Sequence, residues 1–413
     1  MHEVLEAIGV LARDTGQAAF LVGGMVRDLA IGHRNIDLDI AIEGDALGLG
    51  TAFAKKTGSS IRGRTRFGTC KIESKAFGTI DMATARSESY PYPGALPEVK
   101  ASKLEADLAR RDFGLNAMAI ALAPECYGRL IDPFGGLDDL ARGKLRVLHN
   151  ASFRDDPTRI FRGVRFAGRF DFTFEHETLN LLKECLREGF MDAVSGKRIF
   201  AELKLTGGEQ EPLKSFGLLR KYRILESVDP AIGRNSDRWK HLRRLVLAID
   251  RVASPDGRAF AEDWLCWLSG IFVGLKRREA QRLAARLNLP GRVNGTCLWV
   301  STSLQSTLAG LLRLDRSRPY RVVKLLRQVP PEGAVHLFAA SGRKQRNLII
   351  AYLKTWRYVK PSLNGRQVRD LGFEEGPRVG RMLERLLELK LQGKVVSPED
   401  EIAYVRKMAR SGR

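Results

Sequence analysis

Short apolar runs broken by glycine and charge fill the first third of the chain, and long amphipathic stretches fill the rest. Ala18–Val22 is apolar and ends at Gly23-Gly24, which predicts a strand entering a tight turn. Met25–Ile31 predicts a short helix, and Ile36–Ile42 alternates with the period of a strand. Arg66–Glu73 and Gly78–Ala83 predict two more strands with a Ser-Lys-Ala-Phe connection. Ser87–Ala101 carries Pro91, Pro93, Gly94 and Pro97, so it reads as a loop or lid, not a regular element. Helical patterning resumes at Leu104 and dominates from Asp155, with Pro157 suited to the first turn of a helix beginning near Asp156. Within Ile160–Phe170 apolar positions alternate with Arg162, Arg165 and Arg169. Basic helices follow around Trp239–Arg251, Leu275–Leu287 and Tyr320–Gln328, and a last unit, Leu363–Leu389, places Gly365, Gly372, Gly376 and Gly380 at helix edges. The expected class is α+β: a small mixed sheet with helices, followed by a mainly helical remainder.

Composition adds scale and sign. A chain of 413 residues is too long for one compact core. No stretch approaches the roughly 18 apolar residues of a membrane span, and the first residues lack the basic start and apolar core of a signal peptide. The five cysteines are scattered and form no C-x-x-C, as expected of reduced, buried thiols in a cytoplasmic protein. The net charge of +21 is unevenly spread: residues 1–150 hold 19 basic and 19 acidic side chains, leaving 50 and 29 to the remainder. A neutral part joined to a polycation implies a polyphosphate partner, nucleic acid before membrane.

The neutral part holds the chemistry. Asp37 and Asp39 are two apart in an apolar strand, so their carboxylates share one face. Convergent carboxylates suit hard cations such as Mg²⁺, although solvated surface pairs also produce a D-x-D. Asp81, in another apolar strand, either completes such a site or is an ordinary strand-end acid. Upstream, Gly23-Gly24 forms a strand–turn–helix junction where backbone N–H groups can approach phosphate. Arg27 would add a cation to a triphosphate, with Asp28 holding it.

Leu21-Val22-Gly23-Gly24-Met25-Val26-Arg27-Asp28 followed by Asp37-Leu38-Asp39-Ile40-Ala41 resembles the signature of class II tRNA nucleotidyltransferases and bacterial poly(A) polymerases, of the DNA polymerase β-like nucleotidyltransferase superfamily. Arg110–Ala119 resembles that family's ribose-reading motif, with Gly-Leu where Thr-Ile is usual. Asp132–Leu140 and Asp155-Asp156-Pro157-Thr158-Arg159 match in order, so the likeness runs across roughly residues 18–205. It implies a nucleotidyltransferase catalytic head at 1–150, a helical neck with a nucleobase-recognition helix at 151–215, and a basic helical body and tail binding tRNA at 216–413. It implies catalytic Asp37, Asp39 and Asp81, two Mg²⁺ ions on Asp37 and Asp39, and triphosphate binding by Gly23, Gly24, Arg27, Arg110 and Arg111. Asp112 and Asn116 would meet the ribose, and Asp156 and Arg159, with Asp155, the base. Arg162 and Arg165 either touch phosphate or brace the base-reading helix. Ser195, Arg198 and Glu202 resemble family positions and read as structural.

The base-reading pair has a physical logic. On a helix Asp156 and Arg159 would lie on one face, one an acceptor and the other a donor. An amino group beside a bare ring nitrogen satisfies both, which fits adenine and cytosine, whereas uracil and guanine oppose like to like. The implied reaction is attack of the tRNA 3′-hydroxyl on the α-phosphorus of ATP, and of CTP as a further substrate, releasing pyrophosphate. The long segment Arg86–Leu108 argues against a CC-adding subtype, and Asp155-Asp156-x-x-Arg159 is similar to A-adding enzymes. No His-Asp doublet occurs, so a fused metal-phosphohydrolase domain is not expected. A poly(A) polymerase, a catalytically idle RNA-binding homologue and a small-molecule nucleotidyltransferase are the alternatives. The sequence says nothing of the oligomeric state.

Overall fold

The computed structural model describes residues 2–33, 37–65, 68–74, 78–233, 235–255 and 259–411. Ile36, the expected start of a strand, and Arg66, the expected start of another, lie outside them. The chain divides into two compact units, Met1–Glu202 with Glu209–Val228, and Leu203–Gly208 with Asp229–Arg413.

The first unit begins with α1 (His2–Asp14), β1 (Ala18–Val22), α2 (Gly24–Ala30), β2 (Leu38–Glu43), α3 (Ala46–Thr57), β3 (Ser60–Thr65), β4 (Thr69–Ser74) and β5 (Gly78–Thr84). It continues through β6 (Arg86–Ser89), β7 (Glu98–Ala101), α4 (Leu104–Ala109), β8 (Ala119–Ala121) and β9 (Leu130–Ile131). Seven strands form one sheet in the order β3-β4-β5-β2-β1-β8-β9. Only β2 and β5 run parallel; β1 pairs antiparallel with both β2 and β8. Alternation along β2 sends Leu38, Ile40 and Ile42 to a fully apolar face, where Leu49 and Phe53 of α3 are also buried. Asp39 and Ala41 point to the opposite face. That face continues into a second buried cluster of Val22, Ala41, Leu104, Leu108, Ala117 and Ala119. The sheet thus has one dry side and one side that is apolar at one end and acidic at the other.

Ser87–Ala101 departs from the sequence expectation. It is not irregular: β6 and β7 pair antiparallel in the register Ser87↔Lys100 and Glu88↔Val99. The prolines and Gly94 fall in the turn between the strands, where a missing N–H breaks no ladder. Sequence alone weighted the breakers and overlooked the short alternating flanks.

After β9 come α5 (Gly136–Ala141), the paired short strands β10 (Lys144–Leu145) and β11 (Thr173–Phe174), α6 (Ser152–Asp155), α7 (Thr158–Phe170), α8 (His176–Arg187), α9 (Gly196–Gly207) and α10 (Pro212–Lys221). Gly163 lets α7 pack closely: a Cβ there would stand 2.7 Å from the rings of Phe113 and Phe174.

The second unit is helical. Ser236–Val252, Asp263–Gly270 and Pro331–Ala340 bury Leu242, Leu245, Leu265, Leu268, Val335 and Leu337. A separate cluster of Leu363, Val368, Met382, Leu386 and Val405 holds the last helices together. Gly380, expected at a helix edge, lies inside the helix Pro377–Leu391, because nothing after Pro377 interrupts the apolar periodicity. No helix among the described residues is long and apolar enough to cross a membrane.

Candidate active site

The turn between β1 and α2 is built on Gly23, at φ 75° and ψ −141°. A Cβ there would stand 3.1 Å from Arg111 Nη1 and 3.5 Å from Asp39 Oδ2, so both conformation and space demand glycine. The turn therefore sits directly against an arginine and an acid from distant parts of the sequence.

The parallel register of β2 and β5 places Asp39 opposite Asp81. Asp37 lies exposed immediately before β2, and Asp81 is ion-paired to Lys71 Nζ at 3.1 Å. Asp39 keeps an open edge by surface area, yet the surrounding protein crowds it. Burial and then the charge of Asp81 raise its carboxyl above the usual carboxylate range; Arg111 opposes this, and Asp37 adds to it. Among the described residues no three His, Cys or acidic side chains are drawn together tightly enough to form a ready-made metal cage. What is present is a row of mutually repelling carboxylates, a donor set whose charge a divalent cation would relieve.

One cleft of about 550 Å³ lies within the first unit. It is lined by Gly23, Gly24, Arg27, Asp39, Arg110, Arg111, Asp112, Asn116, Asp156, Arg159 and Arg162, all singled out in the sequence. Its volume is that of a site for a nucleotide-sized ligand. Asp37, Asp81, Asp155 and Arg165 do not line it.

Ion pairs and hydrogen bonds hold most of the polar side chains in the cleft. Arg27 is buried, donates from Nε to Asp28 Oδ1 at 2.8 Å and from Nη1 to Asn116 Oδ1 at 2.8 Å, and packs against the rings of Phe166 and Phe170. Asn116 Nδ2 in turn donates to Asp112 Oδ1 at 2.9 Å, and Arg162 Nε to Asp112 Oδ2 at 2.7 Å. Burial raises the Asp112 carboxyl, but the charge of Arg162 and the bonds from Asn116 and Arg162 outweigh it, leaving Asp112 below the usual range. Asp107 of α4 accepts from both Arg110 Nη2 (2.7 Å) and Arg111 Nη2 (2.8 Å), which follow directly after the helix. Arg165 goes to Glu202 and Glu209 at 3.0 and 2.9 Å, on the bracing side of the two readings open to it.

The segment around Pro157 differs from expectation. Asp156 is not on the helix: at φ −136° and ψ 93° it is extended, and α7 starts at Thr158. A residue before proline is driven from the helical region by the proline ring. Asp156 and Arg159 therefore do not share a helix face, although both reach the same cleft. Asp156 Oδ1 accepts from Thr158 N at 2.9 Å, while Arg159 donates to Ser152 Oγ and to the Arg110 carbonyl. Asp155 ends α6, and its backbone carbonyl accepts from Gly94 N.

Glu88, Tyr90, Arg198 and Glu202 also line the cleft. Glu88 and Tyr90 come from the hairpin read as a loop, and only its flanking alternation signalled them. Tyr90 donates to Glu88 Oε2 at 2.9 Å, and burial pushes its hydroxyl up to about 12. Arg198 and Glu202, read from the sequence as structural, arrive from α9 and line the cleft, Arg198 paired with Asp156 and Glu202 with Arg165.

A strand–glycine turn–helix facing paired strand acids and a cluster of arginines defines a nucleotidyltransferase head. Residues 19–146 match the poly A polymerase head domain. An A-adding tRNA nucleotidyltransferase of Halalkalibacterium halodurans is 33% identical over 98% of this chain and 92% of its own. That of Geobacter sulfurreducens is 30% identical over 99% of this chain, which spans 47%, about half, of that relative. A CC-adding tRNA nucleotidyltransferase of Deinococcus radiodurans is 32% identical over 94% of this chain and 88% of its own. Among solved structures, the apo form II of a CCA-adding enzyme superposes with a TM-score of 0.86 at 30% identity, covering 98% of this chain and 95% of that one. The Thermotoga maritima CCA-adding enzyme complexed with tRNA gives 0.78 at 29% identity, with 98% and 95% covered. The chain belongs to the tRNA nucleotidyltransferase family.

Proposed function

We propose that the protein adds nucleotides from ATP, and from CTP, to the 3′ end of tRNA without a template, including the terminal A. The observation that carries this reading is the single cleft that joins Asp39, the Gly23–Gly24 turn and the Asp156/Arg159 pair. A reacting phosphate, a triphosphate tail and a base edge would each meet suitable groups there. Catalytic head, helical neck and basic body are the proposed divisions, at 1–150, 151–215 and 216–413.

The proposed roles follow those that the family resemblance implies. Backbone N–H groups of the Gly23–Gly24 turn and the guanidinium of Arg111, whose Nε is buried without an acceptor, would hold the triphosphate. Arg27 and Arg110 line the same cleft and would add positive charge there. The Asp112–Asn116 pair, locked by Arg162 and Arg27, would present fixed polar atoms to the ribose. Asp156 as acceptor and Arg159 as donor would select bases with an amino group beside a bare ring nitrogen. Asp37 and Asp39 would hold Mg²⁺, with Asp81 as the third acid. Bound there, the ions supply charge neutralisation of the triphosphate and acidify the attacking 3′-hydroxyl. The side chains contribute alignment of that hydroxyl with the α-phosphorus, and pyrophosphate leaves toward the arginines. Four of the five cysteines are buried, which suits a cytoplasmic enzyme.

Purified protein is to be incubated with tRNAs ending before C, after C and after CC, with each labelled nucleoside triphosphate. Incorporation of A alone onto tRNA ending in CC establishes the A-adding activity favoured by Asp155-Asp156-x-x-Arg159. Addition of C and then A establishes full CCA addition, and long A tracts a poly(A) polymerase. No incorporation onto any tRNA sinks the enzyme reading.

A further inference from the structure

Asp156 Oδ1 accepts three hydrogen bonds: from Thr158 N at 2.9 Å, from Thr158 Oγ1 at 2.6 Å and from Arg198 Nη2 at 2.7 Å. All three fall on one carboxylate oxygen; among the described residues Oδ2 has no hydrogen-bond partner, and Asp156 lines the cleft. The same guanidinium donates from Nη1 to the carbonyl of Gly94 at 3.0 Å. Gly94 is the turn of the β6–β7 hairpin, itself seated on α6 through its N–H to the carbonyls of Arg154 and Asp155. Arg198 thus ties three pieces of chain, at 94, 156 and 198, through one planar fork.

The choice of counter-ion matters. Arg159 lines the same cleft as Asp156 and is a second cation available to that carboxylate. Instead its Nη atoms go to neutral acceptors: Ser152 Oγ at 2.7 Å, the Arg110 carbonyl at 2.8 Å and the Tyr90 hydroxyl at 3.4 Å. Arg162, the next cation along α7, is taken by Asp112. If Asp156 paired with Arg159, acceptor and donor would cancel and neither would read a base.

We propose that Arg198 is a specificity-determining positioning residue. By neutralising Asp156 from α9 it keeps Asp156 and Arg159 apart, each with an unspent hydrogen-bonding atom for the nucleobase. It also couples the hairpin turn at Gly94 to the base-reading carboxylate. This rests on the assignment of Asp156 and Arg159 as base readers. Losing Arg198 frees Asp156 to swing onto Arg159, and the edge that tells adenine from guanine collapses. An ordinary brace would, when lost, lower activity with all nucleotides alike.

The test is kcat/KM for ATP, CTP, GTP and UTP on tRNA ending in CC, for the wild type, Arg198→Ala, Arg198→Lys, Asp156→Asn and the Asp156→Asn/Arg198→Ala double variant. Ratios between nucleotides on one preparation cancel any inactive fraction. Arg198→Ala is expected to lower the ATP:GTP ratio about tenfold. Arg198→Lys should recover part of it, because an ammonium keeps the charge but cannot span both acceptors. In the Asp156→Asn background, removing Arg198 should change the ratio little further. If Arg198→Ala leaves the ratio intact while Asp156→Asn destroys it, the positioning role is wrong and the base reading stands. If Asp156→Asn leaves the ratio intact, the base reading itself fails and takes this role with it.

Discussion

In the cleft of the first unit, six arginines stand among five carboxylates, and Arg110, Arg111, Arg162 and Arg198 are each held by an acid at 2.7–2.9 Å. In the second unit, Arg243, Arg244, Arg277, Arg278, Arg321 and Lys324 are exposed on helices, and among the described residues none of the six is ion-paired with a carboxylate. The same cations serve two different ends. Interlocked with acids, they lose their freedom and become a shaped surface that can distinguish one small ligand from another. Left exposed, they remain a field that attracts phosphates with little regard to sequence. The neutral charge of residues 1–150 is therefore no sign of an uncharged site, and the +21 of the whole chain reports chiefly on the other unit.

The largest expected effect separates chemistry from binding. Asp39→Ala should lower labelled-ATP incorporation by at least about a thousandfold while filter retention of tRNA stays unchanged; surviving transfer would remove Asp39 from the chemistry. The reverse separation follows from pH. His241 Nε2 lies 2.8 Å from His336 Nδ1, and His336 Nε2 lies 2.8 Å from Ser269 Oγ, all buried in the second unit. The Ser269 hydroxyl donates to the Leu265 carbonyl at 2.6 Å, so His336 donates from Nε2 to Ser269, and the three side chains form one buried hydrogen-bonded chain. Burial lowers both, His241 to about 4, with Arg244 assisting. Because their folded values lie below the ordinary 6.5, the unfolded chain binds more protons in acid. Stability is complete above 6.5 and falls as pH drops toward 4, by roughly 3 kcal/mol for His241 alone. All five tryptophans, at 239, 264, 267, 299 and 356, belong to the second unit, so their fluorescence reports that unit's acid unfolding. An unchanged urea midpoint of this signal between pH 7 and 5 would contradict the neutral pair.

Smaller effects sharpen the contrast. Reversing Arg243, Arg244 and Arg277 together to Glu should weaken tRNA binding about ten- to thirtyfold at moderate salt and flatten its salt dependence. The maximal rate at saturating tRNA should hold; a fall in that rate with unchanged binding would show that these side chains act on chemistry. Gly23→Ala is expected to raise KM for ATP about fivefold by straining the positive-φ turn and crowding Arg111, leaving tRNA retention intact.

Sequence alone determined the chemistry wherever its residues are neighbours. Asp39 faces away from Leu38 and Ile40 because the period of a strand is two, and the Gly23–Gly24 turn follows from an apolar run meeting glycines. The strand at 18–22 and the long basic helices were legible for the same reason. Tertiary structure decided the rest, since contacts across long stretches of chain leave no local period. The register that sets Asp81 opposite Asp39, the hairpin that carries Glu88 and Tyr90 into the cleft, and the choice of Arg198 over Arg159 as partner of Asp156 all depend on which elements pack together. Even Asp156 needed the fold: its spacing to Arg159 suggested one helix face, but Pro157 held it extended, and an arginine 42 residues on fixed where its carboxylate points.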